Sequence, residues 1–166
     1  MRRLIKFLHT LGAIGMVGAL ATHIILLAVM PESVSLPEYS AWRQAIGAIA
    51  KWLLLPSLGL VLVSGLLAMA FGDRYYSAGW AWAKLALGLV TFEWTLLAVQ
   101  GPAQGAAQAS IRAAAGELDV AEIAAMVAGE WASLWVLLAI AILNVALGIW
   151  RPRFSRRQRT PARTQS

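Results

Sequence analysis

Four long apolar stretches dominate the chain, and each is closely followed by a proline, a glycine or an arginine. They cover residues 4–30, 46–71, 79–99 and 132–150. A helix needs about 20 apolar residues to cross the hydrocarbon core of a bilayer. The pattern therefore predicts an all-α protein, an integral membrane four-helix bundle within residues 1–153, followed by a basic disordered tail at residues 154–166.

Prolines mark where two of these helices should bend or stop. Pro56 lies inside the second stretch, where a lone proline is tolerated in a membrane helix and can kink it. Gly101 and Pro102 follow the third stretch and are expected to stop the third helix.

The connection from residue 101 to residue 131 is patterned as helix rather than as loop. Residues 103–115 are rich in alanine and glutamine, and Gly116 is expected to cap the end of a helix. Asp119 and Glu122 form the D-x-x-E pattern of a capping box, and apolar residues then follow at helical spacing. An extra amphipathic helix is therefore predicted here, with the fourth helix starting near Val120 and extending beyond the membrane.

The composition agrees with a membrane protein and excludes several kinds of chemistry. Hydrophobic residues make up 60% of the chain and charged residues only 13%, whereas soluble domains average about 25% charged residues. The chain contains no cysteine, which excludes disulfides, thiolate metal sites, iron–sulfur clusters and thiol catalysis. Its formal charge of +6 comes without a nucleic-acid-binding motif, so nucleic acid is not an expected partner.

The distribution of lysine and arginine predicts the orientation. Ten basic residues flank the apolar stretches on one side: Arg2, Arg3, Lys6, Arg74, Arg151, Arg153, Arg156, Arg157, Arg159 and Arg163. The connections on the other side contain only Arg43 and Arg112. Cytoplasmic flanks carry the excess of basic residues, so both termini are expected in the cytoplasm of a multi-pass protein of the cell inner membrane.

The N-terminus also resembles a signal peptide. A basic start precedes an apolar run, and residues 19–21 have the Ala-Leu-Ala sequence of a cleavage site. Against cleavage after Ala21, the apolar run continues almost unbroken to Met30, and its removal would leave an odd number of helices. We expect an uncleaved first helix, and cleavage after Ala21 stays open at this point.

Five ionisable residues lie within the predicted spans, where each needs a partner, a water-filled cavity or access to the interface. Their positions along the helices put His9 and Lys84 in an inner layer. His23, Lys51 and Glu93 fall in the outer half. Lys84 and Glu93 are separated by a helical rotation that puts them on opposite sides of one helix. His9 and His23 can share a face.

Several of these residues also have simple structural explanations. Lys51 beside Trp52 could be an interfacial anchor, and Lys84 could extend to the inner interface. His23 could be a hydrogen-bonded packing residue. Glu93 could be a protonated carboxyl, or it could pair with His23 or Lys51.

Short motifs in the first three helices resemble one known family. Residues 6–12, K-F-L-H-T-L-G, are similar to the K-x-x-H-x-x-G start of HemJ-type protoporphyrinogen oxidases and of related uncharacterised bacterial four-helix membrane proteins. Residues 79–86, G-W-A-W-A-K-L-A, resemble that family's G-W-x-x-A-K-L-A. Pro56 followed by residues 64–67, S-G-L-L, is similar to the family's second helix. The resemblance covers roughly residues 4–100.

The resemblance implies a bundle that binds haem b and oxidises protoporphyrinogen IX late in haem synthesis. It implies that His9 is the ligand of the metal and that Lys84 binds a propionate or the substrate. Outside those motifs, His23 is a further cofactor-binding candidate, and Glu93 joins Lys84 as a catalytic candidate. Trp82 occupies the place of a further histidine that the family often has.

Two other classes of function remain open at this stage. The small-residue face of the first helix and the protruding outer helix favour a non-enzymatic membrane subunit. Such a subunit would pack against a partner protein or against a second copy in a homo-oligomer. A small proton-coupled transporter is the third class, because Glu93 and His23 could relay protons in an oligomer.

Overall fold

The computed structural model describes residues 2–31, 35–71 and 79–150. Its helices are α1 (Arg2–Val29), α2 (Leu36–Ile49), α3 (Leu55–Ala70), α4 (Gly79–Thr95), α5 (Gly101–Ala114), α6 (Val120–Val127) and α7 (Glu130–Trp150). These described residues include no strand, which confirms the all-helical prediction. The predicted tail at residues 154–166 and the predicted cytoplasmic side of Arg74 lie outside the described residues.

Four helical stretches are long and apolar enough to cross a membrane. They are Arg3–Val29, Leu36–Ala70, Gly79–Ala114 and Val120–Trp150. The second and third contain 35 and 36 residues, which corresponds to about 52 Å of helix, whereas a bilayer core is about 30 Å thick. Each therefore extends well beyond an apolar span. The outer layer is the part formed by α2, α5 and α6.

Two π-helical turns keep the long helices continuous past their prolines. Ala50–Leu54 joins α2 to α3, and Leu96–Gln100 joins α4 to α5. Proline lacks an N–H, and its ring clashes with the carbonyl four residues earlier. A wider turn just before Pro56 and Pro102 accommodates both constraints without ending the helix. The prediction that Gly101 and Pro102 stop the third helix was therefore wrong.

Local capping sets the ends of the outer-layer helices. Ser35 and Glu38 form a capping box at the start of α2, with each side chain bonding the other residue's backbone N–H. Gly116 follows α5 with a φ of +78°, the left-handed conformation that favours glycine. Asp119 caps α6 through the N–H of Ala121, so the predicted box with Glu122 is not formed. The predicted helix start near Val120 is confirmed.

The long apolar parts of α1, α3, α4 and α7 form a ring. α1 packs against α3 and α7, and α4 packs against the same two helices, so α1 and α4 lie diagonally across the bundle. α1 and α3 approach closely because Gly12 and Gly15 face Ser57 and Val61. This part of the small-residue face of the first helix is therefore used inside the protein.

Candidate functional site

The inner cluster consists of polar groups on three helices near the predicted cytoplasmic end of the bundle. We define it as His9 of α1, Ser64 and the Val61 carbonyl of α3, and Lys84 of α4. The Nδ1 atom of His9 lies 3.1 Å from the Val61 carbonyl oxygen and 3.0 Å from the Ser64 hydroxyl oxygen. Lys84 is close enough to act on the imidazole electrostatically.

These contacts determine which nitrogen of His9 carries the proton. The carbonyl oxygen of Val61 can only accept a hydrogen bond. The Ser64 hydroxyl directs its own hydrogen to main-chain carbonyls of α3, including that of Leu60. Nδ1 of His9 therefore donates, and in a neutral imidazole Nε2 keeps its lone pair. A backbone carbonyl that holds Nδ1–H is a common way in which proteins orient a metal-binding histidine.

Glycines leave room for both ionisable side chains of the inner cluster. A Cβ atom added to Gly148, in the last turns of α7, would lie 2.9 Å from Nζ of Lys84. A Cβ atom added to Gly65 would lie 3.7 Å from Cε1 of His9. The structure thus brings His9 of α1 and Lys84 of α4 into one layer of the bundle, next to Gly65 of α3 and Gly148 of α7.

Fewer side chains are buried around the inner cluster than in the outer half of the bundle. The main hydrophobic core consists of Met16, Ala19, Leu20, Leu54, Leu58, Val99, Leu134, Leu137 and Ala141. Over residues 3–15, 59–71, 79–90 and 142–150, in contrast, only Gly12, Ser64 and Ala81 are buried. The inner half of the bundle therefore lacks a continuous apolar core within the part of the chain that the structure describes.

The outer triad is a second polar cluster, formed by His23 of α1, Arg43 of α2 and Glu130 of α7. Oε1 of Glu130 lies 2.9 Å from Nε2 of His23, and Oε2 lies 2.7 Å from Nη1 of Arg43. All three residues are buried, with His23 fully inaccessible. Arg43 also donates from Nε to the hydroxyl of Tyr39 and lies over the Tyr39 ring.

The charges of the outer triad are mutually compensated. Glu130 lies just before the predicted span of residues 132–150. Burial alone would raise the pKa of the Glu130 carboxyl, but hydrogen bonds from His23 and Arg43, together with the Arg43 charge, lower it below its ordinary value. The carboxylate is thus the form that the triad stabilises. A buried ion pair of this kind is costly to break, because the remaining partner keeps an uncompensated buried charge.

One nitrogen of the outer triad has no protein partner. Nε2 of His23 donates to the Glu130 carboxylate, whereas the buried Nδ1 atom of His23 makes no hydrogen bond with any described residue. A histidine with one nitrogen on a carboxylate and the other free has the arrangement of many metal-bound histidines. Nevertheless, no three His, Asp or Glu side chains come together as a metal cluster in the described ranges.

The structure separates Lys51 and Glu93, the other two residues predicted for the outer half of the spans, from His23. Glu93 is exposed on α4, and His23 bonds Glu130 rather than Glu93 or Lys51. Lys51 is exposed, with its Nζ atom 5.2 Å from the centre of the Trp52 ring. That placement favours the interfacial-anchor interpretation of Lys51.

Sequence reasoning missed the two charged members of the outer triad. Arg43 and Glu130 both lie at the margins of apolar stretches, and both had been assigned to outer connections. The available signal was His23 itself, because a buried imidazole inside an apolar helix requires a polar partner. The spacing along the chain does not show which of the several outer carboxylates would supply that partner.

Among the described residues, the inner cluster and the outer triad are therefore the sites where ionisable side chains from different helices of the bundle come together. Comparisons with protein families, with curated proteins and with solved structures find no match for this chain, so the function has to be inferred from these two sites.

Proposed function

We propose that the protein is a four-span protein of the bacterial inner membrane that binds haem b or a related porphyrin between the inner ends of its helices. Both termini would lie in the cytoplasm, as the excess of basic residues on that side favours. The observation that carries the proposal is the hydrogen bond from Nδ1 of His9 to the Val61 carbonyl, because it leaves Nε2 available to bind the iron of a haem.

The residues of the inner cluster fit a tetrapyrrole better than a bare metal ion. A haem iron needs only one or two protein ligands, since the macrocycle supplies the other four. The ammonium of Lys84 would pair with a propionate, which carries a negative charge and needs a cation at the membrane interface. Gly65 and Gly148 allow the His9 ring and the Lys84 ammonium to lie directly against α3 and α7.

The small number of buried apolar side chains in the inner half supports the same location. A four-helix bundle normally fills its interior with apolar side chains at near-crystalline density. Here the apolar core begins at Met16 and Leu58 and does not reach the layer of His9. A flat apolar macrocycle would supply the missing core. Once bound, a haem b would add one-electron redox chemistry at its iron, which is the basis for proposing an oxidoreductase.

Spectroscopy of the purified protein tests this proposal. The protein should carry a Soret band when it is produced with adequate haem and purified in a mild detergent. His9→Ala should abolish or shift that band, whereas His23→Gln, which changes the other histidine and keeps an N–H donor for Glu130, should leave it in place. Lys84→Met should weaken haem retention, and the matched Lys51→Met should not.

The possible outcomes answer two separate questions: whether the protein binds haem, and whether His9 is the residue that ligates it. Helical protein that stays colourless after haem reconstitution would refute the haem proposal. A Soret band that His9→Ala leaves unchanged would refute His9 as the ligand. Loss of the band in His23→Gln, with His9→Ala still coloured, would move the site to the outer triad.

A non-enzymatic membrane subunit is the second proposal, and one observation favours it. The outer triad joins α1, α2 and α7 through buried charged hydrogen bonds, so the outer layer is held firmly on the bundle. A rigid extension beyond the membrane suits a docking role. The transporter interpretation has less support, because Glu93 is exposed while His23 is buried against Glu130.

A further inference from the structure

We propose that two copies of the chain form a twofold dimer in the membrane through the outward face of α4, with the two Glu93 side chains hydrogen-bonded to each other. The proposal rests on α4 crossing the membrane and is independent of haem binding. It is carried by Glu93, which no hydrogen bond or ion pair joins to another described residue and which lies in an exposed, otherwise apolar stripe of α4.

The stripe is a continuous exposed face at helical spacing. It comprises Trp82, Ala86, Leu89, Val90, Glu93 and Leu97. Successive members are three or four residues apart, apart from the adjacent pair Leu89 and Val90, which places all of them on one side of the helix. Within the chain, α4 packs against α3 and α7, and the exposed stripe is directed away from both.

Glu93 lies too deep in the span to reach water. It is 14 residues beyond Gly79, where α4 begins, which is about 21 Å along the helix axis. The hydrocarbon core is about 30 Å thick, so both ends of the span are several residues away. Glu93 is exposed, and no hydrogen bond or ion pair joins it to another described residue. A carboxyl group in contact with lipid tails is costly, and it needs a polar partner from outside the protomer.

Lys51 of a neighbouring copy would lie at a different depth in the membrane from Glu93, so it is not a suitable partner. Gly47 packs against Ala103 and Ala107, so Lys51, one turn further along, is near the level of Gln100 and about 10 Å above Glu93. Side chains tilt toward the N-terminus of their own helix. Because the two helices run in opposite directions, Lys51 tilts outward and Glu93 tilts inward, and their charged groups diverge.

A second Glu93 is matched in depth by symmetry. A twofold axis along the membrane normal places every residue at the level of its symmetry mate, and in such an interface each residue near the axis meets its own copy. A carboxyl group that carries its proton has one donor as well as an acceptor, so two such groups that meet at the axis can hydrogen-bond each other. Ala86, two turns below Glu93, allows the helix backbones to approach closely.

Disulfide cross-linking in membranes tests the interface directly, because the chain has no native cysteine. Leu89→Cys and Leu97→Cys should each give a cross-linked dimer after mild oxidation. Ile14→Cys is the matched control, since Ile14 is 66% exposed on α1, diagonally opposite α4. Equal cross-linking at Ile14 and at the stripe would overturn the proposal, and so would monomers at every position.

Variants of Glu93 test the hydrogen-bonded pair itself. In the Leu97→Cys background, Glu93→Gln should retain cross-linking, because two amides can also bond each other. Glu93→Leu should raise the dimer dissociation constant on the order of tenfold, the size typical of polar contacts between membrane helices. Undiminished dimerisation in Glu93→Leu would refute the carboxyl pair. If Glu93→Leu does not fold, loss of cross-linking in Glu93→Val would support the pair and its retention would refute it.

Discussion

Nε2 of His23 and Oε1 of Glu130 lie 2.9 Å apart although 107 residues separate them in sequence. The contact joins the outer part of α1 to the first residue of α7. Arg43 brings α2 to the same carboxylate at 2.7 Å. The outer half of the bundle is therefore fixed by charged hydrogen bonds as well as by an apolar core, whereas the described part of the inner half, where we place the cofactor, has no continuous apolar core.

Removal of the Glu130 carboxylate should strongly destabilise the protein. Glu130→Ala leaves Arg43 as an unpaired buried cation, which typically costs about 3–5 kcal/mol in the free energy of unfolding. Denaturation in mild detergent, followed by circular dichroism, measures the loss. Glu117→Ala is the control, because Glu117 is 64% exposed and lies 3.8 Å from an exposed Arg112; its effect should be below about 0.5 kcal/mol.

A double variant shows whether the loss comes from the stranded charge. Arg43→Met combined with Glu130→Leu removes both charges, and replacing a buried ion pair by apolar side chains is often close to neutral. We therefore expect the double variant to be more stable than Glu130→Ala. Equal losses in Glu130→Ala and Glu117→Ala would show that the triad contributes little.

The contribution of Glu130 should also depend on pH. Its pKa is lower in the folded protein than the ordinary value of 4.5. A carboxyl with a lowered pKa stabilises the fold fully above the ordinary pKa, and the contribution is lost as the pH falls through the folded-state pKa. The part of the stability difference between the wild type and Glu130→Gln that comes from the Glu130 charge should therefore shrink as the pH falls below 4.5. A difference that grows on acidification would contradict this assignment.

The sequence was sufficient to predict the helical class and the four apolar stretches, because each stretch is long, apolar and closed by a breaking residue. It was misleading at Pro102, where a wider turn retains the helix. A π turn depends on tertiary packing around the proline, which has no signature in the local sequence. Because the helix continues past Pro102, it reaches Ala114 instead of ending near residue 99.

The candidate site was predictable only in part. Matching depths on two helices predicted that His9 and Lys84 share a layer, and the structure brings them near each other. The partner of His23 was not predictable, because Glu93, Lys51 and Glu130 all lie in the outer half. The side of the helix on which each residue lies determines which of them can bond His23. Glu93 is directed away from the bundle, whereas Glu130 is buried in it.

Close packing of α1 on α3 should make Gly12 irreplaceable. A Cβ atom at Gly12 would lie 2.8 Å from the Ser57 carbonyl oxygen, and a backbone atom cannot move aside cheaply. Gly12→Ala should therefore lower the melting temperature. Gly18 lies on the same helix with no atom within 4 Å of such a Cβ, so Gly18→Ala should be neutral or should stabilise α1 by up to about 1 kcal/mol, since alanine favours helix. Equal effects of the two variants would refute the close contact.

The topology can be tested with single cysteines in this cysteine-free chain. Ser35 and Glu122 are exposed at the start of α2 and in α6, on the side with few basic residues, and cysteines there should react with a membrane-impermeant maleimide added to intact cells. Ser77 and Ser166, which lie outside the described residues, are predicted to be cytoplasmic and should react only after the cells are opened. Ser110 is unsuitable because its side chain is buried between α5 and α2. Labelling of Ser77 or Ser166 in intact cells would invert or break the proposed topology, and with it the placement of His9 and Lys84 at the cytoplasmic end.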